Sequence, residues 1–224
     1  MKYSLNLTWL AALLLFAALT GCKSELYKSA DLFAEQFVNA WCAGDSAAVR
    51  ATVAKMQQHC DSVEINLIPH FNREFSQHIQ HLLADSSHCH RDAVIAADFA
   101  TAGYNDVCLS TAERITSALL NGELTIEGAM NEVRATRAAL TMLGQPQTIS
   151  QFHAALDLSA RNLPLHKQMQ LFSSVASPQA LARALRADFN APEADTALVR
   201  RQIGELRKIY SAEQFDTFIS NFRK

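Results

Sequence analysis

The chain has 224 residues, 49% of them hydrophobic and 19% charged, with 20 basic side chains against 22 acidic ones. That length can bury the core of one domain or of two small ones, and apolar residues in every part of the chain exclude a disordered one. The near-neutral balance excludes nucleic acid as a partner, and 7 Gly and 5 Pro favour helices over a turn-rich β-sandwich.

Residues 1–21 read as a targeting segment. Lys2 supplies a positive start, and the apolar run Leu10 to Leu19 is shorter than the roughly 20 residues of a membrane-spanning helix. Leu19-Thr20-Gly21-Cys22 resembles the bacterial lipobox, and the resemblance implies cleavage before Cys22 and acylation of its thiol. Two acyl chains anchor a protein stably where one is marginal. Lys23 stands where Asp would resemble the inner-membrane retention signal, so the resemblance implies the outer membrane of a Gram-negative cell and leaves the leaflet open. Residues 22–30 are expected to be the lipidated tether.

The predicted elements are helices throughout. The first runs from about Asp31 to Cys42, with Phe33, Phe37 and Trp41 on one face and Gly44 closing it. Asp45 or Ser46 caps a second, to about His59. Pro69 leads a third to about Leu83, and Ser87 or His88 opens a fourth that ends near Gly103. Ser110 caps a short helix ending at Asn121-Gly122, and Thr125 a longer one closed by Gly144. Gln145-Pro146-Gln147 reads as a turn, after which Ser150 opens a helix with Phe152 and Leu156. Pro164 lies near the start of the next, and Ser177-Pro178 begins another through Leu181, Leu185 and Phe189. Val199, Ile203, Leu206 and Tyr210 mark the penultimate helix. Ser211 and Gln214 form a capping box before Phe215, Phe218, Ile219 and Phe222.

The expected fold is therefore all-α, a bundle of about ten helices, arranged as one body, as two small bundles or as a stack of helix pairs. Residues 31–144 would form a disulfide-stapled bundle and 145–224 a C-terminal part packed on it. Only Val63 to Ile68 has β character. Phe37 to Arg50 resembles the opening helix of NTF2-like domains, but nothing after Pro69 resembles the long sheet into which those continue.

Four cysteines follow Cys22, and an even number in an oxidising envelope implies two disulfides. If the first four helices alternate up and down, Cys42 and Cys89 share one end and Cys60 and Cys108 the other. A Cys42–Cys60 pairing would have to span roughly 21 Å of helix, whereas bridged Cα atoms lie about 5.5 Å apart. The expected bridges are Cys42–Cys89 and Cys60–Cys108, each closing a loop for about 4 kcal/mol.

Chemistry has few footholds in the pattern. No nucleophile elbow, phosphate loop, dinucleotide fingerprint or zincin motif occurs, so no catalytic residue is assigned. Six of the 8 histidines fall between His59 and His90. His70, Glu74, His78 and His81 form one helical stripe beside the apolar face of the third helix. Imidazoles with a carboxylate suit zinc or copper, against the alternative of a solvated polar flank and no cofactor. Phe218 and Phe222 are candidate anchors for a partner. Asp45, Asp61 and Asp195 each precede Ser or Thr; these triplets resemble O-glycosylation acceptors of Bacteroidota envelope proteins, and the same residues suit helix capping. The functional expectation is an envelope lipoprotein that binds a partner protein or supports an assembly without catalysis, the alternative being a metal-handling lipoprotein.

Overall fold

The computed structural model describes residues 25–84 and 90–224. Among them the chain is helical, with no strand: α1 (25–42), α2 (Ser46–Asp61), α3 (Ile68–Leu83), α4 (His90–Thr101), α5 (Tyr104–Asn121), α6 (Ile126–Met142), α7 (Pro146–Ala160), α8 (Leu165–Val175), α9 (Pro178–Phe189), α10 (Thr196–Ile209) and α11 (Ala212–Phe222). None of these helices is long and apolar enough to cross a membrane.

Local chemistry sets most of their ends. The Asp45 carboxylate accepts from the amides of Ala47 and Ala48 at 3.0 and 2.9 Å, satisfying donors that a first helical turn leaves open. Asp195 does the same for Leu198 at 2.8 Å, and Ser177 for Ala180 at 3.2 Å. The Ser211–Gln214 capping box forms in both directions. After α6, Gly144 takes φ +71°, a backbone conformation that favours glycine, and a Cβ there would also push the exposed Arg50 side chain aside.

Several predicted boundaries differ, and one of them is the start of α5, which begins at Tyr104 and carries Ser110 inside it rather than as its cap. Residues 25–30 are already helical, with Leu26 and Ala30 buried, so α1 begins before Asp31. Pro146 opens α7 rather than sitting in a turn, because its missing N–H costs nothing in a first turn. Val63 to Ile68 holds a short 3-10 turn, Ile65–Leu67, leading into α3.

The chain divides into two compact units. Among the described residues, those up to 103 with 138–145 form one, and residues 104–137 with 146–224 form the other, so α6 contributes to both. In the first unit α3 packs on α4. Phe37, Phe71 and Phe75 are fully buried there, with ring centroids 5.8 Å apart for Phe37–Phe75 and 6.4 Å for Phe71–Phe75. In the second unit α5 packs on α7, α8 on α10, and α9 on both α10 and α11. Its core includes Phe152, Met169, Leu185, Leu206 and Phe218.

The disulfide framework is not formed: no bridge joins any of the described cysteines. Cys60 and Cys108, expected to pair, both carry free thiols. The argument for that pair rested on four alternating helices ending at Cys108. Instead Cys60 lies in the last turn of α2 in the first unit, and Cys108 belongs to α5, a helix that starts at Tyr104 in the second. Cys108 is buried with its Sγ 3.9 Å from the Thr148 carbonyl oxygen, and burial pushes its thiol pKa up to about 11. Burial first, then the Asp61 charge, raises that of Cys60. Both shifts disfavour the thiolate, the nucleophilic form. Cys42 is exposed at the end of α1, and its expected partner Cys89 lies outside the described residues, as does the acylation site Cys22.

Candidate functional site

The histidine stripe exists as a stripe but does not converge on a metal. His78 is drawn to Asp31 on α1, with Nδ1 3.3 Å from the carboxylate. Arg73 lies between His70 and Glu74, with Nη2 3.3 Å from His70 Nδ1 and 3.4 Å from Glu74 Oε1. His81 keeps its ring centroid 6.4 Å from that of His78. Among the described residues no group of three His, Cys, Asp or Glu side chains is placed to hold a metal ion. Within the stripe, Glu74 is paired with Arg73 and His78 with Asp31, so the described side chains of α3 do not converge on one zinc or copper ion. A histidine outside the stripe, His59, instead packs between Phe33 and Phe71 at 5.6 Å from each and lies within 3.1 Å of Ser29 Oγ.

Phe218 and Phe222 sit differently from exposed anchors. Phe218 is fully buried, and Phe222 packs against it at 6.0 Å and against Phe189 at 5.9 Å. The last helix turns its aromatic stripe onto α9, so Phe218 is core and Phe222 is packed at its partly buried edge. Asp45 and Asp195 are occupied as helix caps.

What the second unit does present is a pair of adjoining grooves. The first, about 530 Å³, runs from the end of α7 across the start of α8 to α10. Its wall carries Arg161, Gln168, Asp188 and Arg201 over Leu163 and Val199. Asp157 reaches Arg161 Nη2 at 3.3 Å on its rim. The second groove, about 690 Å³, follows the seam of α5 and α7 and is lined by Leu109, Leu120 and Leu158, exposed by 43%, 48% and 57%. Arg161 and Leu163 line both, so the charged groove and the apolar one meet at the α7–α8 turn. Both volumes fall within the about 300–1,000 Å³ of small-molecule sites.

Beside the charged groove, Glu205 on α10 accepts from His166 Nδ1 at 2.9 Å and from Lys208 Nζ at 2.7 Å. Those hydrogen bonds, Lys208 first, hold its carboxyl below the ordinary carboxylate range. This exposed network links α8 to α10, the pair of helices that frames the groove.

No motif announces these residues, since Arg161, Gln168, Asp188 and Arg201 lie on different elements at unrelated spacings. One signal was readable in principle. Leu109 and Leu120 stand off the core stripe of α5, which runs through Val107, Ala112, Ile115 and Leu119. Comparison with protein-family models, curated proteins and solved structures finds no match for this chain.

Proposed function

We propose that the protein is held in the bacterial envelope by acyl groups on Cys22, at the outer membrane, and that its helical domain acts there by binding rather than by catalysis. The observation that carries this reading is Leu19-Thr20-Gly21-Cys22, placed directly after the apolar run Leu10 to Leu19. The binding role is supported by the adjoining grooves of the second unit, which offer apolar surface and both signs of charge.

The test is metabolic labelling with an alkyne analogue of palmitate in a Gram-negative host, followed by membrane fractionation. The parent chain is expected to carry label and to sediment with outer membranes, while Cys22→Ala loses both. An unlabelled parent, or a Cys22→Ala variant that still takes up label, overturns the reading.

A further inference from the structure

In the first unit α1 and α2 are joined by a tight turn at Gly44 and run antiparallel, in step with one another. His59 lies 13 residues after the first residue of α2 and Ser29 13 residues before the last of α1, and the two meet, with His59 Nε2 3.1 Å from Ser29 Oγ. Phe33 on α1, His59 on α2 and Phe71 in the first turn of α3 form one cluster, with ring centroids 5.6, 5.6 and 6.2 Å apart. The connection from α2 to α3 therefore lies at the end of the unit where α1 begins. That connection is apolar and turned outward. Ile65, in its 3-10 turn, is 85% exposed, and Val63, Leu67 and Ile68 beside it are half-buried. On α1, Tyr27 is 36% exposed and Leu32, in the next turn, 52%. Apolar side chains exposed singly are ordinary, but these are gathered at one end. Glu25, Lys28, Asp61 and Glu64 are exposed around them.

Chain length says what covers this end. Only Lys23 and Ser24 stand between Cys22 and Glu25, the first described residue of α1, and three Cα–Cα steps reach no more than about 11 Å. Acyl groups on Cys22 would hold this end of the unit against the bilayer. We propose that the start of α1 and the α2–α3 connection together seat on the lipid surface. Ile65 enters the boundary between headgroups and acyl chains, and Tyr27 lies at headgroup level. The four charged side chains around them stay in the hydrated headgroup layer. The anchor brings lipid to this patch, whereas nothing in the chain brings a protein there. The proposal rests on acylation of Cys22 and adds that the folded body, as well as the anchor, touches the membrane.

Tryptophan quenching tests it on the full-length chain, expressed in a Gram-negative host and purified from its membranes. The protein is returned to vesicles of phosphatidylethanolamine and phosphatidylglycerol, with and without bromine on the acyl chains. Cleavage before Cys22 removes Trp9 and leaves the parent one indole, Trp41, which is 8% exposed. Trp41 lies roughly 21 Å along α1 from Tyr27. Ile65→Trp adds a second indole at a site where the fold makes little use of the side chain, and unchanged helical circular dichroism shows that the variant is folded. Brominated lipid is expected to quench the introduced indole at least about twofold and to leave the parent's emission unchanged. Intact mass of the same preparations reports cleavage and acylation independently. An acylated Ile65→Trp chain that is not quenched overturns the proposal and leaves the anchor standing; this end then faces water or a protein neighbour. Quenching of the parent as strong as that of the variant overturns it too, because the body would not be seated by this end. A mass without acyl groups removes the anchor and the proposal together.

Discussion

Lys167 on α8 donates through Nζ to the carbonyl oxygen of Leu119, 2.7 Å away in the last turn of α5. The final carbonyls of a helix have no partner within it, and a cation at that end also meets the negative pole of the helix. The bond joins the wall of the apolar groove to that of the charged one, because Leu120 and Gln168 are the neighbours of these two residues in the chain. Lys167→Met keeps the stem and removes the charge. We expect it to lower unfolding free energy by about 1–2 kcal/mol, read from urea denaturation. It should also raise hydrogen exchange at the end of α5 while leaving α10 and α11 unchanged.

Glu132 on α6 is 8% exposed and accepts from Arg114 Nη2 on α5 at 2.9 Å. Removing the arginine takes one partner from a carboxylate with little access to water, whereas neutralising the glutamate leaves a guanidinium that is 45% exposed. Arg114→Met should therefore cost more than Glu132→Gln. The expected losses are about 1–3 and about 1 kcal/mol, discounted for the exposure of Arg114. Denaturation of both variants and of the double variant measures the coupling. Equal costs would contradict the asymmetry.

Phe218 sits under α9 and contacts Tyr210, Phe215 and Phe222 at ring distances of 6.3, 6.0 and 6.0 Å. Phe218→Ala should cost about 3–5 kcal/mol, the range for emptying an aromatic core site. Phe222→Ala, at a partly buried position, should cost less. A surface anchor would show the opposite pattern, with little loss of stability at either position.

His153 on α7 is half-buried, and its Nε2 is enclosed with no hydrogen-bond partner among the described residues. Burial, and then the charge of Arg137, push its pKa below the ordinary value of 6.5. The folded state thus favours the neutral ring. Its contribution to stability is complete above the unfolded value and is lost as pH falls through the folded one. The urea midpoint should drop on going from about pH 7.5 to about pH 5, and His153→Gln should show a smaller drop.

The helices were largely legible because their signals are local. Asp45, Ser177, Asp195 and the Ser211–Gln214 pair each bond to amides within three residues, so the sequence alone places those starts. Pro146 misled because a proline suits a turn and a first helical turn equally. The thiols misled for a different reason. Spacing sets how far apart Cys60 and Cys108 can be along the chain, but only packing decides whether their helices share an end, and these helices belong to different units.

The histidine stripe shows the same division. Its period correctly aligned His70, Glu74, His78 and His81, yet Arg73 from within α3 and Asp31 from α1 supply the partners. No reading of α3 alone contains Asp31. The grooves were least legible of all, since they exist only because α5 packs on α7 and α8 on α10, skipping the helix between. By itself the sequence determined the helical class, most caps, the glycine stop at Gly144 and the lipobox-like Leu19–Cys22, all encoded within a turn or two of chain. Only the tertiary structure decided which helices are neighbours, and with them that Phe218 is core, that Cys60 and Cys108 remain thiols, and that Gln168 is buried facing a groove. Those outcomes depend on contacts between residues far apart in the chain, whose free energies no local pattern records.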